Sequence, residues 1–224
     1  MTSITTPAAQ DYLKCVYMLG REAGPAGGQV STKAIADRMD VSAASATNML
    51  KRLDQAGLIE HSRYRGAQLT EAGRKVALEV IRHHRLLETY LAEALGVPWD
   101  RVHEEAEVLE HVLSEDLEER IAQRLGDPTL DPHGHPIPTR DLSMPGESGV
   151  LLWGVPDGEV VQIDRVSDEV PEALRFLEEA GIKPGAHVLV VRRGPVAGPL
   201  FVSVQGDDLE HALSRDLAEA VWVA

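Results

Sequence analysis

The chain has 224 residues, more than the roughly 100 to 200 of one typical domain, so two or three small domains are expected. Hydrophobic residues at 43% and charged residues at 26% suit a folded chain with its own core and exclude a disordered or fibrous one. A formal charge of −14 argues against a nucleic-acid partner until its distribution is read: residues 1–75 carry ten Lys/Arg against seven Asp/Glu, leaving a basic end of +3 and a remainder of −17.

The start, MTSITTPAAQDYLK, has neither a basic flank nor an apolar run, and no stretch of about 18 apolar residues follows, so neither a secretory signal nor a membrane span is expected. One cysteine, Cys15, leaves no internal disulfide, which points to the cytoplasm; among apolar neighbours it reads as core.

DYLKCVYML, residues 11–19, has helical spacing and is broken by GREAGPAGG. Ser31 or Thr32 then caps a short helix carrying Ile35, Ala36 and Met39. Ser42 caps a second, with Met49, Leu50 and Leu53 inward and Gly57 at its end. Two short helices around a tight turn make a helix-turn-helix, and LIEHSRYRGAQLT reads as two strands of a wing. Helices are expected from Glu71 to about Gly96 and from about Trp99 to Leu125, the second with a stripe of Val102, Ala106, Leu109, Leu113 and Leu117 that must bury against helices or a second subunit. Residues 126–149, with five prolines and four glycines, form a linker. Beyond it, EVVQIDRV, HVLVVRR, LFVSVQG and AVWV read as strands of a small β-barrel-like domain, with a helix at PEALRFLEEAG.

Two sets of residues carry chemistry. Ser42, Ala44, Ser45, Thr47 and Asn48 open the second short helix and are small and polar enough to enter a major groove. Lys51, Arg52, Arg63 and Arg65 suit phosphates. The competing reading is a plain helical pair in a core. The other set lies in RHHRLLETYL and HEEAEVLEHV. His84 and Glu88 are one turn apart on one helix, as are His103 and Glu107 on the next, where Glu110 and His111 share the sector; Asp11 is in reach from the first helix. Such a set reads either as a solvated acidic face or as ligands for Mn²⁺, Fe²⁺ or Zn²⁺. His133 and His135 in DPHGHPIP are either further ligands or structural.

A winged helix, then RHHRLLE and VHEEAEVLEHV, then HGHPIP and a small β domain, resembles the diphtheria-toxin-repressor family of metal-dependent transcriptional repressors over almost the whole chain. The resemblance implies a mainly α fold with small β: a winged helix-turn-helix at 1–75, a helical dimerisation and metal domain with its Pro-rich linker at 76–149, and an SH3-like domain at 150–224. It implies a primary metal site of Asp11, Glu107, Glu110 and His111, and an ancillary site of His84, Glu88 and His103. To the ancillary site the C-terminal domain would add Glu169 or Glu172, because Val170 and Ala173 occupy the positions of the usual ligands. Asp11 and Glu107 stand where iron-type members carry Met and Cys, and these oxygen donors resemble the manganese branch and suit Mn²⁺.

The reading is therefore a homodimeric, Mn²⁺-responsive repressor of metal-uptake genes that binds a two-fold DNA operator and is not an enzyme. The same architecture answering Fe²⁺ competes with it. So does a metallohydrolase built on the His/Glu cluster, although no nucleophile or phosphate loop accompanies that cluster. A metal buffer without DNA would leave residues 31–66 unexplained.

Overall fold

The computed structural model describes residues 6–22, 28–62, 66–146, 149–196, 198–207 and 209–224. The chain forms two compact units, residues 1–83 with 138–144 and residues 84–137 with 145–224.

The first unit holds α1 (Pro7–Glu22), α2 (Thr32–Arg38), α3 (Ala43–Gln55), β1 (Ile59–Ser62), β2 (Gly66–Leu69) and the start of α4 (Glu71–Leu95). Ser31 and Ser42 cap α2 and α3, each hydroxyl accepting from the backbone N–H three residues on. Asp40, in the left-handed region at φ 48°, lets the chain turn tightly between the two helices. Leu13, Val16, Ile35, Leu50, Leu53, Ile59, Leu78 and Ile81 close one core, with Met49 packed on its edge. β1 and β2 pair antiparallel, Ile59 opposite Leu69. Asp54 Oδ1 accepts from His61 N–H at 2.9 Å and so fastens this wing to the end of α3. Gly66 is required there: its φ is +86°, and a Cβ would lie 2.2 Å from the Val30 carbonyl oxygen. The expected phosphate contacts Arg63 and Arg65 lie outside the described residues.

The second unit continues α4 and adds α5 (Val102–Leu109), α6 (Glu115–Arg124), β3 (Val150–Leu151), β4 (Val160–Val166), α7 (Pro171–Glu179), β5 (His187–Arg193), β6 (Leu200–Val204), β7 (His211–Leu213), α8 (Arg215–Glu219) and β8 (Val221–Val223). The six strands form one antiparallel sheet in the order β3-β8-β4-β5-β6-β7. Bulges between Ile163 and Arg165 and between Val190 and Arg192 add the twist that curls a small sheet toward a barrel. Leu174 and Leu177 of α7 close the core over Ile163, Val188, Val190, Leu200 and Val202, and Trp99, from ahead of α5, is part of the same core.

One expected element is corrected. The helix expected from Trp99 to Leu125 is two, because Ser114 caps a new start at Glu115, accepting from Leu117 N–H, with Glu115, Asp116 and Glu118 favouring the first turn. Of the apolar stripe, Val102 and Ala106 are buried and Leu113 packs against Leu86, Leu87 and Ile121, but Leu109 and Leu117 are exposed, as are Val108 and Val112 at 72% and 77%.

Candidate metal centre

The spacing of His84 and Glu88 along α4 puts both on the face that meets α5, and His103 enters from the first turn of α5. His84 Nε2, Glu88 Oε1 and His103 Nδ1 form a triangle with sides of 3.0, 3.0 and 3.2 Å. Such a triangle suits imidazole protons donated to the carboxylate or, in their place, lone pairs converging on a cation. Its edges match the spacing of about 3.0 Å between adjacent octahedral ligands set about 2.1 Å from a cation. Glu88 is fully buried and its Oε2 has no hydrogen-bond partner among the described residues, a costly arrangement unless a cation is accommodated. Asp168, in the loop between β4 and α7, completes the group with Oδ2 3.5 Å from His103 Nδ1.

The DPHGHP stretch lies against this group. Asp131 Oδ1 accepts from the N–H groups of His133 and His135 at 2.8 and 2.9 Å, folding both imidazoles to one side, and Asp131 Oδ2 faces His135 Nδ1 at 3.4 Å and Arg85 Nε at 3.7 Å. Gly134 sits at φ +89°, and a Cβ there would fall 2.3 Å from the Asp164 carbonyl oxygen of β4, so only glycine allows the turn to lie this close to the sheet. His133 is fully buried. Its Nε2–H donates to the Trp99 carbonyl at 2.9 Å, its ring stacks on Trp99 with centroids 5.5 Å apart, and its Nδ1 lies 3.9 Å from Glu88 Oε1, without a hydrogen-bond partner among the described residues. An N–H held by a backbone carbonyl is how a ligating imidazole is usually oriented.

The charges are interlocked. Burial raises the Glu88 carboxyl, but the His84 charge, the hydrogen bonds from His103 and His84 and the nearby His133 imidazole overcome it and hold the group well below its ordinary value. Burial lowers His103 and His133, yet Asp168 and Glu88 raise the first to about 10, and Glu88 with Asp131 and Asp168 raises the second to about 9. Asp168 is likewise held low against its burial by His103 and His135. Protons on imidazoles therefore compensate the buried carboxylates, and a divalent cation would compete with them for the same lone pairs. Imidazole and carboxylate together suit the borderline divalent ions.

The other edge of His84 meets the end of α5. Its Nδ1 lies 2.5 Å from Glu110 Oε2 and 3.8 Å from Glu107 Oε1, and His111 Nε2 is 3.7 Å from Glu110 Oε1. The break after α5 makes this possible, since Glu110 is the C-cap residue and its side chain is buried. Asp11 lies on α1 of the first unit.

Glu172 has a side chain 77% exposed and bonded to Arg175, which also holds Asp100. Glu169 is exposed, and Asp168, one residue earlier in the chain, is the acid that meets His103. Asp131 and Asp168 escaped the sequence reading. The alternation Asp-x-His-x-His in DPHGHP was a usable signal for Asp131; Asp168 had none, because its partners are distant in the chain. In the first unit, Ser42, Ala44, Ser45, Asn48, Lys51 and Arg52 are exposed along α3, and the half-buried Thr47 donates its hydroxyl to the Ala43 carbonyl at 2.7 Å.

A winged helix with an exposed polar second helix, in a chain that also holds a buried imidazole-carboxylate centre, defines a metal-responsive DNA-binding regulator. Known proteins agree with that class. Residues 4–67 match the model of the iron dependent repressor N-terminal DNA binding domain, residues 70–139 that of the iron dependent repressor metal binding and dimerisation domain, and residues 150–224 that of the FeoA domain. The iron-dependent repressor IdeR of Mycobacterium tuberculosis (strain ATCC 25618 / H37Rv) is 36% identical over 226 residues, covering 95% of this chain and 94% of that protein. A solved structure described as a manganese-dependent transcriptional repressor in complex with manganese is 40% identical, with a TM-score of 0.87 over 96% of this chain and 99% of the other. The manganese regulator SloR is 31% identical, with a TM-score of 0.77 over 98% and 99%. The chain belongs to the diphtheria-toxin-repressor family of metal-dependent transcriptional repressors. These relatives are repressors, not enzymes, and among the described residues no helix is long and apolar enough to cross a membrane.

Proposed function

We propose that this protein is a homodimeric, Mn²⁺-dependent repressor of metal-uptake genes that binds a two-fold operator when metal is held. The observation that carries the metal dependence is Glu88, fully buried, within 3.0 and 3.2 Å of two imidazole nitrogens and with one oxygen unpartnered among the described residues. Residues 1–75 read DNA, 76–149 dimerise and bind metal, and 150–224 add Asp168 to the ancillary ligands His84, Glu88 and His103, with His133 beside them. Glu107, Glu110 and His111 form the primary set with Asp11, an assignment carried over from the family resemblance. Without a cation the neighbouring carboxylates of Glu107 and Glu110 repel, so the apo form is looser there. Bound metal supplies the positive charge that lets these acids share one site. Dimerisation is supported by Val108, Val112 and Leu117, exposed apolar side chains around the α5–α6 break. A repressor works where operator DNA is, and on that ground we assign it to the cytoplasm.

Manganese is supported by the oxygen donors Asp11 and Glu107 and by the likeness to a manganese-dependent repressor at 40% identity. Iron is the second reading, favoured by the 36% identity to IdeR. Operator binding by fluorescence anisotropy, in chelator, in Mn²⁺ and anaerobically in Fe²⁺, tests both. Binding is expected only with metal, and half-saturation in Mn²⁺ against Fe²⁺ decides between the ions. Glu107→Ala is expected to abolish the response while Glu104→Ala, on an exposed sector of α5, retains it. Equal operator binding in chelator and in Mn²⁺ would sink the proposal.

A further inference from the structure

Residues 126–149 read from sequence as a Pro-rich linker, yet part of that stretch is built into the DNA-binding unit. Residues 138–144 belong to the first compact unit together with residues 1–83. Leu142 and Met144 are half-buried and pack against the core that holds Leu13, Ile35 and Leu50. Arg82 of α4 donates from Nη1 to the Pro138 carbonyl at 2.7 Å and so fixes where the segment begins.

The segment closes on itself. The Thr139 N–H donates to the Ser143 carbonyl at 2.9 Å and the Leu142 N–H to the Thr139 carbonyl at 2.9 Å, while the Thr139 hydroxyl accepts from the Ser143 N–H at 3.1 Å. Asp141 Oδ2 takes the Ser143 hydroxyl at 3.2 Å. Leu142 lies in the left-handed region at φ 58°, a conformation that costs a bulky side chain more than glycine or asparagine. A loop that only spanned a distance would be served better by one of those two residues. What leucine adds is an apolar side chain seated on the core, kept there against the backbone cost.

We propose that residues 138–144 are a clip that holds the DNA-binding unit in its operator-competent form, with Leu142 and Met144 as positioning residues that act through the core under α3. This rests on the repressor reading above. α3, whose exposed face is assigned to the major groove, is seated on the same core through Ala46, Leu50 and Leu53. A core that loses an edge side chain lets α3 shift or fray. The observed operator affinity then falls in proportion to the fraction of molecules in which α3 is correctly seated.

The test compares wild type with Leu142→Asn and Leu142→Met in the full-length protein. Asparagine suits the left-handed backbone but puts an amide where the anchor was, whereas methionine keeps an apolar side chain. For a plain linker, Leu142→Asn relieves backbone strain and leaves operator affinity unchanged or stronger; the clip gives the opposite sign. Operator binding in saturating Mn²⁺, by fluorescence anisotropy, is expected to be at least about tenfold weaker in Leu142→Asn, as when about one molecule in ten keeps α3 seated. In the metal-free protein, the backbone amides of residues 43–55 are expected to exchange with deuterium correspondingly faster. Mn²⁺ binding, followed by electron paramagnetic resonance of the free ion, is expected to stay at the wild-type level, and Leu142→Met to match wild type in all three measurements. Thr139→Val removes the hydroxyl that receives the Ser143 N–H, and it is expected to shift operator affinity and exchange in the same direction if Leu142→Asn fails to fold. Wild-type operator affinity or wild-type exchange in Leu142→Asn overturns the proposal. So does a loss of Mn²⁺ binding in parallel with operator affinity, or a Leu142→Met protein as weak as Leu142→Asn. Absence of operator binding by wild type in Mn²⁺ removes the repressor reading instead, and the clip falls with it.

Discussion

Replacing His133 by Phe isolates the residue whose role is least visible from sequence. Phe keeps a ring of similar shape against Trp99, where the stacked centroids are 5.5 Å apart, but removes the Nε2–H that donates to the Trp99 carbonyl at 2.9 Å. Both groups are buried, so the lost bond leaves an acceptor without this donor, at a cost of about 1–3 kcal/mol. For a chain of this size each kcal/mol lowers the melting temperature by about 2–4 °C, so metal-free His133→Phe is expected to melt about 2–12 °C below wild type. The substitution also deletes Nδ1, which faces Glu88 Oε1 from 3.9 Å. If Nδ1 is a metal donor, affinity falls tenfold or more, and the stabilisation added by excess Mn²⁺ shrinks by about 1.4 kcal/mol. Differential scanning calorimetry with and without Mn²⁺ measures both quantities. An equal rise on adding Mn²⁺ in the two proteins would refute the ligand role, and an unchanged metal-free melting temperature would refute the value given to the hydrogen bond.

Glu107→Cys exchanges a hard oxygen for a soft thiolate, and metal titrations of operator binding are expected to show weaker activation by Mn²⁺ relative to Fe²⁺, Co²⁺ and Zn²⁺. Lys51, exposed on α3, is expected to act on phosphate, so Lys51→Ala should weaken binding to all sequences and reduce the salt slope by about one; Asn48→Ala should instead relax base preference at fixed slope. Val112→Asp, at a side chain 77% exposed, is expected to leave the subunit folded and shift sedimentation velocity toward monomer. Gly134→Ala forces a Cβ to within 2.3 Å of the Asp164 carbonyl oxygen at φ +89°, and urea unfolding is expected to show a loss of at least about 1–3 kcal/mol.

Local signals carried the helix-turn-helix because its determinants are local. Ser31 and Ser42 cap their own helices, Gly57 ends α3, and Ile35, Leu50 and Leu53 follow one helical face. His84 with Glu88, and His103 with Glu107, were legible for the same reason, since a spacing of four residues on a helix fixes a shared face whatever lies opposite. The break at Ser114 was present in the sequence as a cap signal but was outweighed by an apolar stripe that continues across it. What tertiary structure alone decided is which side chains meet across the chain. Asp168 reaches His103 across 65 residues only because α7 and the curled sheet fix the loop before α7. Glu172, four residues further on, is exposed and paired with Arg175. His133 faces Glu88 because Gly134 lets its turn lie against β4. Periodicity states which face a residue occupies, but the partner on that face is set by backbone approaches and charge pairings that form only when the chain is folded.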